Sequence, residues 1–280
     1  MLNPDGKIWF ERVGEGMVYS GVDLSPENAL RVIMLAASSV EKFCTEAHPS
    51  LAAVLPKGGE RFQAVIPPAS EQPFFVIRKK ALQIFTLDDY VEKGTMSLAQ
   101  CQVLKKAVID RHNILVVGGT GTGKTTFANA LLQEMSKTNH RILTIEDTKE
   151  LQCSAENYVS LFVKEPEYTI KMAVKDALRL RPDRIIVGEV RDGSALDLLK
   201  AWNTGHNGGI ATVHANSASE GLSRIEQLIG EAAANIPYQL IADAINIVVH
   251  IIRTPEGRKI EKIAKVQGLG SNGKYILVEY

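Results

Sequence analysis

Residues 114–129 have the sequence ILVVGGTGTGKTTFAN, and this stretch decides the fold. Four apolar residues typical of a buried strand run into a glycine-rich turn with the pattern GxxxxGKT, and apolar residues at helical spacing follow at once. Glycine lets successive backbone N–H groups turn inward and approach a phosphate at a helix N-terminus. The stretch therefore predicts a strand, a phosphate-binding loop and a helix.

The loop residues predicted to contact the nucleotide are Gly118, Gly119, Thr120, Gly121, Thr122, Gly123, Lys124, Thr125 and Thr126. The charge of Lys124 suits the β- and γ-phosphates of ATP, and the Thr125 hydroxyl suits a Mg²⁺ ion bound to them. The alternative is a chance match in a glycine-rich turn, but the strand before the loop and the helix after it argue against this. ATP and Mg²⁺ are the predicted ligands.

The composition is that of an ordinary globular protein. The 280 residues are 45% hydrophobic, and 32 basic residues balance 32 acidic ones, so no net charge attracts nucleic acid and we expect no direct sequence-specific nucleic-acid binding. Cys44, Cys101 and Cys153 are odd in number and far apart, as free thiols are in a reducing compartment. No apolar run reaches the about 18 residues that span a bilayer. These features predict a cytoplasmic protein.

Residues 1–90 are predicted to form a small α+β domain. A turn at residues 3–6 leads into a strand over 7–13, and further strands are expected over 61–66 and 74–79. Between them, Ser25 as N-cap and Pro26 at the first helical position begin a helix that continues to residue 43. Residues 86–94 are interpreted as a connection, residues 91–105 as a linker, and residues 97–110 as a helix.

Residues 106–280 change to alternating strands and helices, which is typical of a parallel sheet covered on both faces. After the phosphate loop we expect strands over 141–147, 184–189 and 208–214, with helices over 169–181 and 194–202. Three further strands are expected over 244–252, 259–266 and 275–278. The prediction is an α/β fold in which a parallel-sheet domain follows a smaller α+β domain.

Polar residues stand where three of these strands end: Glu146 with Asp147, then Glu189, then His214. Ligands of open α/β sheets bind outside the carboxyl ends of the strands, so these side chains are candidates for one nucleotide site. Glu189 is expected to contact Mg²⁺ or its water, and either Glu146 or Glu189 could align the attacking water. His214 is interpreted as a nucleotide-sensing residue, against the alternative of a structural histidine.

Arg179 and Arg181 leave a predicted helix just before the strand that carries Glu189. Two interpretations stay open. They are either surface cations that interact with the helix C-terminus or charges that stabilise a transferring phosphoryl group, in the same subunit or in a neighbour.

Four segments together resemble a known family. They are GGTGTGKTT at 118–126, RILTIEDTKE at 141–150, LRLRPDRIIVGEVR at 178–191 and TGHNGGIATVHAN at 204–216. They resemble the Walker A, Asp box, Walker B and His box of the secretion ATPases that power type II and type IV secretion and pilus retraction. LKAWNTGH at 199–206 and FTLDDY at 85–90 are most similar to the TrbB-type conjugal-transfer ATPases.

This resemblance implies a RecA-like ATPase domain in a homohexameric ring, peripheral at the inner membrane and docked on components of a secretion or conjugation channel. It also implies that arginines of the N-terminal domain reach the nucleotide, and Arg61 and Arg78 match them by position. Members of the family carry a helical stretch before the turn at 3–6, so we expect the N-terminal domain to be incomplete. Ser194 stands where relatives commonly have an acid.

Three functions compete at this point. The first is a ring ATPase that converts hydrolysis into movement for substrate transfer or pilus assembly. The second is a kinase built on the same phosphate loop, which would need an arginine-rich lid that the sequence does not suggest. The third is a nucleotide-gated assembly scaffold with little turnover.

Overall fold

The protein is described here by a computed structural model that covers residues 1–12, 16–79 and 84–280. Contacts divide the chain into two compact units, Met1–Leu82 and Gln83–Tyr280. The segments that the sequence assigned to a connection and a linker, residues 86–94 and 91–105, belong to the second unit.

The first unit combines a hairpin, one helix and a three-stranded antiparallel sheet. Its elements are β1 (Lys7–Arg12), β2 (Gly16–Asp23), α1 (Pro26–Ser39), β3 (Ser50–Val54), β4 (Arg61–Val65) and β5 (Phe74–Arg78). Helix α1 begins as predicted, because the Ser25 side chain accepts a hydrogen bond from the backbone N–H of Asn28. Ile33 of α1 packs with Phe62 and Phe75 of the sheet in one apolar cluster.

One prediction for the first unit was wrong, and one strand was missed. Helix α1 ends at Ser39 rather than at residue 43, because Val40 leaves helical geometry and Glu41 adopts a left-handed backbone with φ 54°. Strand β3 was not predicted. The strands over 61–66 and 74–79 are confirmed to within one residue, and the end of the first predicted strand, residue 13, lies outside the described residues.

The second unit begins with two helices, α2 (Leu87–Glu92) and α3 (Leu98–Ile109), before the strand of the phosphate loop. Then follow β6 (Ile114–Gly118), α4 (Lys124–Met135), β7 (Ile142–Glu146), β8 (Tyr158–Phe162), α5 (Ile170–Ala177), β9 (Arg184–Val187), α6 (Ala195–Asn203) and β10 (Ile210–His214). The unit closes with α7 (Ala218–Gly230), α8 (Tyr238–Ala244), β11 (Ile247–Thr254), β12 (Gly257–Leu269) and β13 (Tyr275–Glu279).

The strands of this unit form one sheet in the order β13-β12-β11-β6-β10-β9-β7-β8. Neighbours from β11 to β8 pair in parallel, and β12 and β13 add an antiparallel edge. Helices cover both faces, since Leu115 and Val117 of β6 join one apolar cluster and Ile114 and Val116 join the other. The predicted α/β fold with a parallel sheet is confirmed.

Some elements of the second unit differ from the prediction. The connection over 86–94 contains helix α2, whose N-terminus has a capping box between Thr86 and Asp89. The helix expected over 169–181 is α5 followed by a 3₁₀ turn, which ends where Arg181 turns left-handed at φ 53° before Pro182. Strand β8 and helices α7 and α8 were not predicted. Among the described residues, no helix combines the length and apolarity needed to cross a bilayer.

Candidate functional site

The strand ends that carry the predicted site residues lie side by side at one edge of the sheet. His214, the last residue of β10, pairs in register with Gly118, the last residue of β6. Glu146 is the last residue of β7, and Glu189 lies two residues beyond the end of β9. Because β10, β9 and β7 are consecutive neighbours in the sheet, these side chains lie at the same edge of the sheet as the phosphate loop.

The phosphate loop joins β6 to α4 with the geometry that its glycines allow. Gly123 caps α4 in the left-handed region at φ 97°, where a side chain would be strained. A Cβ on Gly118 would lie 2.4 Å from the carbonyl oxygen of Ile251, so a larger residue does not fit there. The loop is therefore a close-packed turn. The N-terminus of α4, which follows it, lies at the edge of the sheet where the strands end.

Lys124 directs its ammonium group into this loop. Its Nζ donates hydrogen bonds to the carbonyl oxygens of Gly118 and Gly119, each at 3.0 Å, and the side chain is largely buried. The Thr122 hydroxyl also donates to Gly119 O at 3.0 Å. Uncharged carbonyl groups hold the lysine, and a phosphate oxygen would be a stronger acceptor for the same donor.

His214 connects Lys124 to Glu189. Lys124 Nζ lies 3.2 Å from His214 Nδ1, and His214 Nε2 lies 2.8 Å from Glu189 Oε1. An ammonium group can only donate, so Nδ1 is the acceptor and the ring proton is on Nε2, directed at the carboxylate. Burial lowers the pKa of His214, and the neighbouring charge of Lys124 lowers it further. The imidazole is therefore held neutral and in one tautomer.

Glu189 is held from its other side by an arginine. Arg191 Nη2 donates to Glu189 Oε2 at 2.6 Å, and Arg191 Nη1 donates to Asp147 Oδ2 at 2.9 Å. The backbone around Glu189 is fixed on β10, because the Thr212 hydroxyl donates to Gly188 O at 2.7 Å. The result is a continuous polar chain from the phosphate loop to the residue that follows β7.

Glu146 lies in a different environment from Glu189. It is 5% exposed, and its Oε2 accepts hydrogen bonds from the backbone N–H groups of Glu150 and Leu151, both at 2.8 Å. Its Oε1 is buried and has no hydrogen-bond partner. Burial raises the pKa of Glu146 to about 7, although the two backbone donors oppose the shift. A carboxyl group with such a pKa can exchange a proton near neutral pH.

Two residues of the site were missed by the sequence analysis. Asn129 of α4 is buried, its Nδ2 donates to Glu150 O at 3.0 Å and its Oδ1 accepts from Gln152 N at 2.9 Å. It ties the segment after β7 to the helix of the phosphate loop. An amide within the apolar run of residues 127–132 was the available signal for Asn129. Arg191 was the other missed residue, and its position beside Glu189 and Asp192 was the only hint of its contacts.

The sequence analysis also singled out four arginines. Arg61 and Arg78 belong to the first unit, where they face each other in register on β4 and β5. Arg179 and Arg181 are exposed at the end of the helix before β9. The contribution of any of the four to the nucleotide site stays a prediction.

The residues present fit a magnesium ion bound together with phosphate. Among the described residues no three His, Cys, Asp or Glu side chains form a metal cluster, so most oxygen ligands would come from phosphate and water, as Mg²⁺ prefers. Thr125 lies in the first turn of α4 beside Lys124. Glu189 lies at the same edge of the sheet, and its side chain is 20% exposed, so water can reach its carboxylate.

Comparisons with known proteins agree with this geometry. The sequence profile of the family described as "Type II/IV secretion system protein" matches residues 26–272. The chain is 44% identical over 279 residues to the probable conjugal transfer protein TrbB of Sinorhizobium fredii, covering 98% of this chain and 84% of that protein.

Two solved structures are similar to this chain in fold. The VirB11 ATPase of the Brucella suis type IV secretion system, in complex with sulphate, is 31% identical with a TM-score of 0.55, covering 93% of this chain and 86% of that one. The pilus retraction motor PilT with bound ADP is 20% identical with a TM-score of 0.63, covering 99% and 76% of the two chains, and shows the fold alone. The resemblance stated from the sequence is confirmed, and this chain belongs to the family of type II/IV secretion system proteins, with TrbB and VirB11 proteins among its relatives.

Proposed function

We propose that this protein hydrolyses ATP as the motor of a type IV secretion or conjugal transfer system. The observation that supports this most strongly is the direct chain from Lys124 through His214 to Glu189. It joins the residue suited to the terminal phosphates of ATP to an acid suited to the metal and the attacking water. Relatives named as secretion and conjugation proteins support the biological setting.

In the proposed mechanism the loop binds the triphosphate. Residues 118–126 supply inward N–H groups, and Lys124 exchanges the carbonyls of Gly118 and Gly119 for phosphate oxygens. The Thr125 hydroxyl and Glu189 would hold the magnesium ion, directly or through water. When bound, Mg²⁺ neutralises charge that develops on the phosphate oxygens.

The two glutamates divide the remaining work in this proposal. Glu189, held by His214 and Arg191, orients the attacking water and the metal's water ligands. Glu146, beside Gly188 and with one unpartnered oxygen, takes up the proton of that water. Two carboxyl groups whose environments differ in this way commonly take different acid and base roles.

Assembly and coupling complete the proposal. Charges that one subunit supplies to the phosphates of its neighbour require head-to-tail interfaces, and such interfaces can close into a ring. We therefore expect six copies to form a closed ring. Arg61 and Arg78 stabilise the phosphoryl group during its transfer. The two arginines therefore hold the first unit in place while ATP is bound, and the unit is released after phosphate leaves. The ring works in the cytoplasm, peripheral at the inner membrane, on the membrane components of the channel.

The kinase and scaffold alternatives are separated by one set of measurements. Phosphate release from ATP and Mg²⁺ by the purified full chain, with and without DNA, distinguishes a hydrolase from a scaffold that binds without turnover. A kinase would release phosphate only slowly until a second substrate is added. Light scattering with ATP and Mg²⁺ should give hexamers, whereas an active monomer at micromolar concentration would contradict the ring.

A further inference from the structure

Arg258 stands on a hairpin that lies beside the phosphate loop. Strand β11 pairs in parallel with β6, the strand that leads into the loop, and β12 folds back on β11. Arg258 is the second residue of β12, directly after the turn. The hairpin is also fixed to the segment after α2, because the N–H of Ile260 donates to Thr95 O at 2.8 Å. The backbone that carries Arg258 is therefore held in place.

The side chain of Arg258 lies against the phosphate loop at Gly121 and Gly123. A Cβ built on Gly123 would come within 2.9 Å of Arg258 Cδ and 3.0 Å of its Nε. Arg258 Nη2 lies 3.5 Å from the carbonyl oxygen of Gly121, at the outer limit of a hydrogen bond. The guanidinium group is thus placed by packing, and its bond to the loop is weak.

Arg258 approaches the loop at Gly121 and Gly123, whereas Lys124 contacts Gly118 and Gly119. Lys124 Nζ bonds Gly118 and Gly119, which marks the place of the terminal phosphates. Gly123 caps the N-terminus of α4, where the phosphates of a bound nucleotide sit. We expect the nucleoside to leave the loop beyond that helix end, near Gly123 and Arg258.

The stability of the hairpin does not explain an arginine at this position. Arg253 lies directly opposite Arg258 in the antiparallel register, so two like charges share one face of the hairpin. Directly opposed like charges destabilise a strand pair. The charge of Arg258 also reaches Tyr90 of α2, where burial raises the pKa of the phenol and Arg258 opposes the shift.

We propose that Arg258 is a nucleotide-binding residue of the same subunit, whose guanidinium plane stacks on the base of ATP. A planar cation on an aromatic face gains cation–π attraction without reading the edges of the base. The contact therefore favours nucleotides over inorganic triphosphate but does not discriminate strongly between ATP and GTP. This inference rests on the proposed function and adds the base to a site otherwise defined by phosphate contacts.

The test compares equilibrium binding of ATP and of inorganic triphosphate, each with Mg²⁺, to the full chain and to three variants. Arg258→Ala should weaken ATP binding by about three- to thirtyfold and leave triphosphate binding unchanged. Arg258→Lys should recover little, because it restores charge but no plane. Lys259→Ala, which removes a cation from the other face of the same strand, should bind like the parent.

Each other outcome overturns the inference. Equal losses for ATP and triphosphate, or recovery by Arg258→Lys, would mean that Arg258 acts on phosphate as a charge. Unchanged ATP binding in Arg258→Ala would remove it from the site. The parent chain alone also tests the idea, since stacking requires it to bind ATP more tightly than triphosphate. Failure of the parent to bind either ligand would instead refute the proposed function, and Lys124→Ala provides that separate control.

Discussion

The ammonium group of Lys124 lies 3.2 Å from Nδ1 of His214, so the phosphate loop and the end of β10 are in direct contact. The same imidazole meets Glu189 Oε1 at 2.8 Å through its other nitrogen. A phosphate that draws Lys124 away from His214 removes the hydrogen bond that sets the ring tautomer. In the proposed mechanism, this contact transmits phosphate binding at Lys124 to Glu189, the acid that we propose orients the attacking water.

The first prediction concerns the tautomer of His214. Nitrogen NMR of the full chain without nucleotide should show the Nε2–H form at neutral pH, because Lys124 donates to Nδ1. Lys124→Ala removes a neighbouring cation that lowers the pKa of His214, so this pKa should rise. The exposed His48 is an internal control whose nitrogen chemical shifts should be the same in the parent and the variant. A pKa of His214 that is unchanged or lower in the variant would contradict the contact.

The second prediction concerns pH and Glu146. If this carboxyl group takes up the proton of water, it works only when ionised, so turnover should rise with pH through about 7. Glu146→Gln should be slower and should lose this rise, whereas the exposed Glu231→Gln should keep the parent profile. A variant that retains the rise would assign it to another group.

Folding stability gives an independent measure of the same pKa. The folded pKa of about 7 lies above the unfolded value of 4.5, so the folded state binds the proton more tightly. The contribution of Glu146 is complete below pH about 4.5 and is lost as pH rises to about 7. Relative to Glu146→Gln, the parent should lose on the order of 3 kcal/mol of unfolding free energy across that window. A constant difference would contradict the shift.

The third prediction separates binding from turnover at Glu189. An amide keeps the size of this side chain but loses the charge that Arg191 and the metal require. Glu189→Gln should bind ATP at close to the parent affinity and hydrolyse it about 10²-fold more slowly at every pH. Asp197→Asn, on α6, is a control that should leave turnover unchanged. Normal turnover in Glu189→Gln would reduce this residue to a structural strand end.

The fourth prediction concerns the first unit. Arg78→Ala should lower hydrolysis by about 10³-fold if this guanidinium stabilises the transferring phosphoryl group, and Arg61→Ala should have an equal or smaller effect. The exposed Lys57→Ala is the matched control. A fragment that consists of the second unit, residues 83–280, should bind nucleotide but hydrolyse it poorly. Full turnover by that fragment would make the first unit a docking module only.

Much of the fold followed from local signals. The phosphate loop, the strands that end in acids and the helix caps at Ser25 and Ser97 are encoded within a few residues, and the structure reproduces them. The early end of α1 had no such signal, because Glu41 turns left-handed without a glycine. Strands β3 and β8 are five residues long, and each is a strand because it pairs along its whole length with a neighbouring strand of the chain, which sequence periodicity does not reveal.

The residues of the candidate site also fall into those that local signals predicted and those that they did not. Lys124, Glu146, Glu189 and His214 could be proposed because each stands at the end of a recognisable element. Asn129 and Arg258 could not, since their contacts lie 21 and 137 residues away along the chain. Such contacts depend on sheet order and register, which were not available from the sequence. The raised pKa of Glu146 likewise arises from burial by the folded chain.

The most direct test of the account is the rate of phosphate release from ATP and Mg²⁺ by the full chain and by Lys124→Ala. Lys124 is the single charge that the loop directs at the terminal phosphates, and a methyl group cannot replace it. The account predicts turnover by the parent and a loss of about 10²-fold or more in the variant, with an unchanged circular dichroism spectrum. A folded Lys124→Ala protein that releases phosphate at the parent rate would contradict it.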